Sequence, residues 1–262
     1  MSSFDSKSME HVIPESLGNS TYILKPGIVC DSCNNYFARK IEGPLLDMPF
    51  FKQTRHRLNI ESKKGRIPSD KGFIIDPELS EMLFKKDKKQ GKGIEIPDEN
   101  IKKRIAKRKK LPVFIAEFGL FDLRNFIISK FMTKVAIEGL AFDVVKYGGN
   151  MDEVVNQESF DNIKRYCRYP KRNEFWPYSI RQIQLTQEEV DKSLSKYLQS
   201  LIFHYTFIYI EPGHLFYQLY ISGVELTIDM VNPSLENVNK WLSKNPSKSE
   251  VLDNALENIM SR

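Results

Sequence analysis

Two short stretches near the start of the chain hold its most chemically suggestive side chains. Met9-Glu10-His11-Val12-Ile13-Pro14 sets a carboxylate beside an imidazole, and Cys30-Asp31-Ser32-Cys33-Asn34-Asn35 sets two thiols and two amides close together. Hydrolysing a phosphodiester at neutral pH needs a base that takes a proton from water and a cation that stabilises charge on the phosphate. Histidine, with an unperturbed pKa of about 6.5, suits the first task. Carboxylate and amide oxygens suit a hard ion such as Mg²⁺, whereas paired thiolates suit a soft one such as Zn²⁺. A lone histidine is more often structural, and a lone Cys-x-x-Cys arises often by chance. Together and in this order they carry more weight.

These side chains need elements to position them. Residues 9–14 and 22–30 read as short extended segments: Val12, Ile13, Ile28 and Val29 are β-branched, Pro14 stops the first, and Gly18-Asn19 supplies a turn. A β-hairpin is the simplest reading. Asp31 or Ser32 then caps a helix through Asn34, Tyr36, Phe37 and Ile41, with Gly43-Pro44 marking a break. Adjacent Glu10 and His11 point to opposite faces of a regular strand, so a loop or bulge must turn both towards one centre.

Further along, residues 68–110 are rich in Pro, Gly and Lys and read as a loop-rich connector with one short helix at Glu78 to Phe84. Leu120 to Tyr147 has apolar residues at helical spacing and should be a core helix. A helix is expected at Gln187 to Gln199. Residues 200–210 and 214–230, β-branched and aromatic, suggest an antiparallel sheet, and Leu235 to Leu242 a final amphipathic helix. The expected divisions are 1–67, 68–110 and 111–262, and the fold class is α+β. Trp176, His204 and His214 read as core or its rim, and His56 as a phosphate contact or surface residue.

Hydrophobic content of 41% and charged content of 28% over 262 residues fit a globular chain and exclude a disordered one. No apolar run is long enough to span a membrane, and Asp5 and Glu10 stand where a signal peptide would need an apolar core, which points to the cytoplasm. Three cysteines do not make a disulfide framework. The net charge of +5 is uneven: residues 1–110 hold 23 Lys and Arg against 15 Asp and Glu, a balance of +8 that leaves −3 for the rest. Lys85, Lys86, Lys88, Lys89 and Lys92 form one basic run; Lys102, Lys103, Arg104, Lys107, Arg108, Lys109 and Lys110 form another. Either is a solvated face or a set of phosphate contacts.

The wording EHVIPESLGN followed by GIVCDSCNNYFARK resembles the HNH endonuclease family, in the branch with Glu-His on the first strand and Cys-x-x-Cys-Asn at the helix start, over roughly residues 9–47. The resemblance implies an N-terminal ββα-metal module followed by a mixed helical and antiparallel-sheet domain. It implies His11 as general base and Glu10 and Asn34 as ligands of Mg²⁺ or Mn²⁺, with Asn35 as a substitute for Asn34. The substrate would be DNA, with RNA left open; the clustered cations Arg39, Lys40, Lys102, Lys103, Arg104, Lys107 and Arg108 are, from their charge, the candidate contacts to it. No membrane partner is expected, and homo-oligomerisation stays open. The pattern departs from the family twice. Where its middle Asn usually falls, this chain has Lys25-Pro26-Gly27, so the residue that orients the base is not identified. Family members also commonly bring a second Cys-x-x-Cys before the Glu-His; here Cys30 and Cys33 are two of the four ligands a structural Zn²⁺ needs, and zinc is not firmly assigned. The competing reading is a non-catalytic nucleic-acid-binding protein with a degenerate HNH fold.

Overall fold

The computed structural model describes residues 6–62, 64–75, 79–87, 91–106, 112–115, 122–183, 203–246, 249–251 and 253. Helices and antiparallel sheets are both present, in keeping with the α+β expectation. The chain forms two compact units, one of residues 1–14, 19–45 and 122–262, the other of residues 15–18 and 46–121.

The first unit opens with β1 (Glu10–His11) and β2 (Ile23–Leu24), paired Glu10 to Leu24 and His11 to Ile23. The hairpin is shorter than expected. Helix α1 (Asp31–Phe37) follows and runs on as a π-helical stretch, Ala38–Glu42. Gly43-Pro44 does not break the chain's helical course: α2 (Gly43–Asp47) begins there, where proline is tolerated in a first turn.

In the second unit come α3 (Pro49–Arg57), β3 (Asp70–Ile75), β4 (Leu79–Asp87), β5 (Gly91–Glu95), α4 (Glu99–Ile105) and β6 (Val113–Ile115). The strands make one antiparallel sheet in the order β5-β4-β3-β6. The loop-rich connector with a helix at residues 78–84 is therefore corrected to a strand-rich region. Met82 is buried with Ile74, Ile101 and Ile105, and Phe84 packs against them, so alternate residues of β4 face one core. Cross-strand ion pairs, Lys71 with Glu81 and Lys85 with Glu95, accommodate the charges that suggested a loop. Gly72 allows this packing, because a Cβ there would meet the Phe84 ring at 2.5 Å.

The chain then returns to the first unit with α5 (Phe126–Lys146), α6 (Met151–Val155), α7 (Asp161–Arg168), β7 (Ser179–Gln182), β8 (Phe203–Ile210), β9 (His214–Ile221), β10 (Val224–Asp229) and α8 (Glu236–Lys244). Asn125 caps α5 by accepting from the Ile127 and Ile128 amides. Ile128, Phe131, Met132, Val135 and Ala136 are wholly buried, making α5 a core helix. The sheet order is β7-β10-β9-β8, with β10 and most of β9 buried on both faces. At Gly139 the rings of Tyr205 and Tyr217 come within 3.4 Å of where a Cβ would sit. The helix expected at 187–199 lies outside the described residues. Among the described residues no helix is long and apolar enough to cross a membrane.

Candidate active site

A two-residue ladder cannot hold a hairpin by itself, and the loop joining β1 to β2 is fastened by Asn19. Its Nδ2 donates to the carbonyls of Ile13 at 2.6 Å and Tyr22 at 3.0 Å, and its Oδ1 accepts from the amides of Thr21 at 3.0 Å and Tyr22 at 2.9 Å. With 1% exposure, this one side chain satisfies four backbone groups around the strand that carries Glu10 and His11. The sequence marked Asn19 only as a turn former. Its place beside Gly18 was the available signal, but amide bonds reaching six residues back and three forward require the folded loop.

Glu10 is 4% exposed, and its carboxylate lies 2.7 Å from Nζ of Lys134 on α5. That ammonium, itself fully buried, also meets Glu42 at 2.8 Å and Glu138 at 2.9 Å. It donates to the backbone carbonyls of His11 at 2.7 Å and Val12 at 3.2 Å. Lys134 thus grips the side chain of one candidate residue and the backbone of the next. Burial alone would push its pKa down, but the carboxylates of Glu138, Glu42 and Glu10 outweigh that and hold it above the usual lysine range, so the amine stays charged. Burial, followed by the neighbouring Glu10 and Glu42, drives the Glu138 carboxyl well above the usual range against the pull of Lys134. One ammonium thus faces three carboxylates, which leaves excess negative charge around it.

Asn34 sits in α1, where its Nδ2 donates to the Met9 carbonyl at 3.1 Å and to Ser8 Oγ at 3.2 Å. One turn earlier, Asp31 accepts from Ser6 Oγ at 3.1 Å, the Ser8 amide at 3.2 Å and the Ser8 hydroxyl. The Ser8 hydroxyl and then the Ser8 and Lys7 amides hold the Asp31 carboxyl below its ordinary range. The start of α1 is therefore bound twice to the segment that leads into β1. This brings Asn34 against the residue preceding Glu10. Asn35 is exposed.

Cys30 caps α1, its sulfur accepting from the Cys33 amide at 3.4 Å and contacting Ser32 Oγ at 3.2 Å. The Ser32 hydroxyl pushes the Cys30 thiol pKa down, while burial pushes that of Cys33 up. All three cysteines are free, and Cys167 is buried on α7. Beside them the Arg168 guanidinium lies over the rings of Tyr36 at 4.2 Å and Tyr169 at 4.5 Å.

Among the described residues no three His, Cys, Asp or Glu side chains gather as a metal cluster. By type a carboxylate and an amide oxygen suit a hard ion such as Mg²⁺, but here the Glu10 carboxylate lies against the Lys134 ammonium. Two thiolates are half of a structural zinc set. Arg39 and Lys40 are exposed on the π-helical stretch. In the second unit Lys102, Lys103 and Arg104 are exposed on α4, while Ile101 and Ile105 on its other side are buried. Lys107 and Arg108 lie outside the described residues. Trp176 is buried and donates to the Asp229 carbonyl at 2.9 Å, and His214 bonds Asp229 at 2.7 Å, both as parts of the core and its rim.

Residues 3–50 match the protein-family model for HNH endonuclease. The match takes in the Glu-His strand, the Asn19 loop, the Cys-x-x-Cys and Asn34, and so supports a likeness of the N-terminal segment to the HNH endonuclease family. No curated protein and no solved structure matches the chain.

Proposed function

We propose that this protein is a divalent-metal-dependent endonuclease hydrolysing DNA phosphodiester bonds. The observation that carries the reading is the 3.1 Å bond from Asn34 to the Met9 carbonyl, which ties α1 to the strand of Glu10 and His11 within the segment that matches the family. In this reading the hairpin and α1 are a ββα-metal module. His11 takes the proton from water, and Glu10 and Asn34 hold Mg²⁺ or Mn²⁺, which would stabilise charge on the phosphate. The amide nitrogen of Asn34 donates to backbone, and in this reading its oxygen is the ligand. Lys134 fixes the direction of Glu10 and steadies the His11 backbone. Arg39, Lys40, Lys102, Lys103, Arg104, Lys107 and Arg108 supply phosphate contacts in the cytoplasm.

The test is cleavage of plasmid DNA with and without Mg²⁺ or Mn²⁺. His11→Ala should slow it by about 10²- to 10⁴-fold, the range for a lost general base, and leave DNA binding intact. A folded His11→Ala protein that cuts at the wild-type rate would sink the assignment. EDTA should stop cleavage reversibly without unfolding the chain, and Asn34→Ala should raise the Mg²⁺ concentration needed for half-maximal rate. With two thiolates available, the purified protein should contain zinc well below one equivalent; elemental analysis giving one equivalent would require two more ligands.

The buried pairing of Glu10 with Lys134 favours a second reading, in which an internal cation has taken the ligand and the chain binds nucleic acid without cutting it. DNA binding with no cleavage in any divalent metal would select it.

A further inference from the structure

The second unit has a cavity of about 600 Å³, well apart in sequence from Glu10, His11 and Asn34, lined by the end of α3 and the β4–β5 hairpin. Two alternate rungs of that hairpin give it an unusual wall. In the antiparallel register Phe84 faces Ile94, and two rungs on, past Lys85 and Gly93, Lys86 faces Lys92. Directly paired residues share a face, so an apolar rung lies beside a doubly cationic one. Like charges opposite each other oppose strand pairing, a penalty that this hairpin carries. Lys86 donates to the His56 carbonyl at 2.7 Å, and Lys92 is exposed. Ile94 is 60% exposed beside these ammonium groups, and Gly93 adds no side chain, a Cβ there meeting nothing within 4 Å.

The remaining lining fits the same chemistry. His56, 6% exposed, is fixed by its Nδ1, which donates to the Pro68 carbonyl at 2.9 Å and leaves Nε2 as the other polar end of the ring. Arg57 adds a further cation to the wall. Asp70 is the acidic member, and its carboxylate already accepts from the Lys71 amide at 2.9 Å and lies at 3.5 Å from Gln53 Nε2. Lys85, which also lines the cavity, is paired with Glu95. Burial and then Lys92 push the Lys86 ammonium below the usual lysine range against the pull of Asp70, which an anion between the two lysines would reverse.

We propose that this cavity binds one nucleotide of a single-stranded nucleic acid, its phosphate between Lys86 and Lys92 and its base against Phe84 and Ile94. A bare anion would leave the apolar rung unused, whereas a flat base on a charged backbone uses both rungs, and the volume is in the range of small-ligand sites. The choice of a nucleic acid over another anionic, partly apolar ligand rests on the nuclease reading above.

The experiment measures binding of a fluorescein-labelled single-stranded DNA 12-mer to the full chain by anisotropy in EDTA, across a salt series, for the wild type, Lys92→Gln and Ile94→Ala. Both replaced side chains are solvent-exposed, so folding is not at stake. Lys92→Gln should weaken binding about tenfold and reduce the slope of log affinity against log salt by about 0.7, one phosphate contact on a single strand. Ile94→Ala should weaken it about fivefold and leave that slope unchanged, since base contact releases no counterions. Unchanged affinity in both variants overturns the proposal. So does competition by a free mononucleotide, inorganic phosphate or an oligoglutamate peptide as strong as that of the unlabelled 12-mer. Plasmid cleavage is measured separately: cleavage with Lys92-independent binding overturns the cavity and leaves the nuclease reading, whereas Lys92-dependent binding without cleavage supports the cavity and defeats nuclease activity.

Discussion

Asn19 and Lys134 hold the candidate site from two directions, and neither is interchangeable with a residue of similar size. Replacing Asn19 by Ala strips partners from four backbone groups and should destabilise the protein by about 3 kcal/mol, read as a lower urea midpoint. Asn19→Asp keeps the two acceptor bonds and loses the two donor bonds, so it should fall between. Equal midpoints for Asn19→Ala and the wild type would show that the loop is held elsewhere. Lys134→Met leaves Glu10, Glu42 and Glu138 without their cation and should cost about 3–5 kcal/mol, the range for breaking a buried ion pair. Adding Glu138→Gln to Lys134→Met should recover part of that loss in thermal melts, because one of the uncompensated groups is then neutral. Glu10, His11 and Asn34 were legible as candidates because they sit in a local pattern. Lys134 was not: of its three carboxylates only Glu138 is a helical neighbour, and Glu10 and Glu42 reach it through long-range packing.

Helix α7 is tied to the chain leading into β7 by Arg165 and Glu174, whose carboxylate accepts from Nη1 at 2.8 Å and also from Nη2. The Arg165 bonds come first among the causes that place the Glu174 pKa at about 2, against about 4.3 for a free glutamate. A depressed carboxyl stabilises the fold fully above its unfolded pKa, and that contribution disappears as pH falls through the folded value. Wild type should therefore exceed Glu174→Gln in stability by a constant margin above about pH 5, a margin that closes between about pH 4 and pH 2. Because the pair is partly exposed, the margin should stay below about 1 kcal/mol. A gap that widens on acidification would contradict the sign. At this scale the sequence served α5 best, since an apolar helix long enough to cross a core announces itself by spacing. It misled at β4, where Leu, Glu and Met favour a helix in isolation and the pairing partners that decide for a strand lie on β3 and β5.

The two units divide charge as well as space. Residues 15–18 and 46–121 hold 19 Lys and Arg against 12 Asp and Glu, a balance of +7, which leaves −2 for the unit carrying Glu10, His11 and Asn34. Neutralising Lys102, Lys103 and Arg104 should accordingly weaken DNA binding at every sequence and flatten its salt dependence, without changing which site is cut. An unchanged slope would return them to the role of a solvated helix face. A linear reading of composition could find the basic region but not its role as an insertion: the unit begun by the hairpin is completed by residues beyond 121. A fragment of residues 1–67, the division that the motif alone suggests, lacks Lys134 and the buried surface of α5. It should show a collapsed, undispersed amide spectrum and no cleavage; a dispersed spectrum would prove the hairpin self-sufficient.

The clamp on Glu10 and His11 also has a consequence in time. A ribosome releases Asn34 roughly one hundred residues before Lys134, a delay of about 5–20 s at typical elongation rates of roughly 5–20 residues per second. During that interval the inserted unit is itself being synthesised, while the Glu-His strand has no cation beneath it. The candidate site therefore stays unassembled while its chain is still threaded through ribosomal RNA and attached to its message, and it matures only after the strand's clamp has been synthesised.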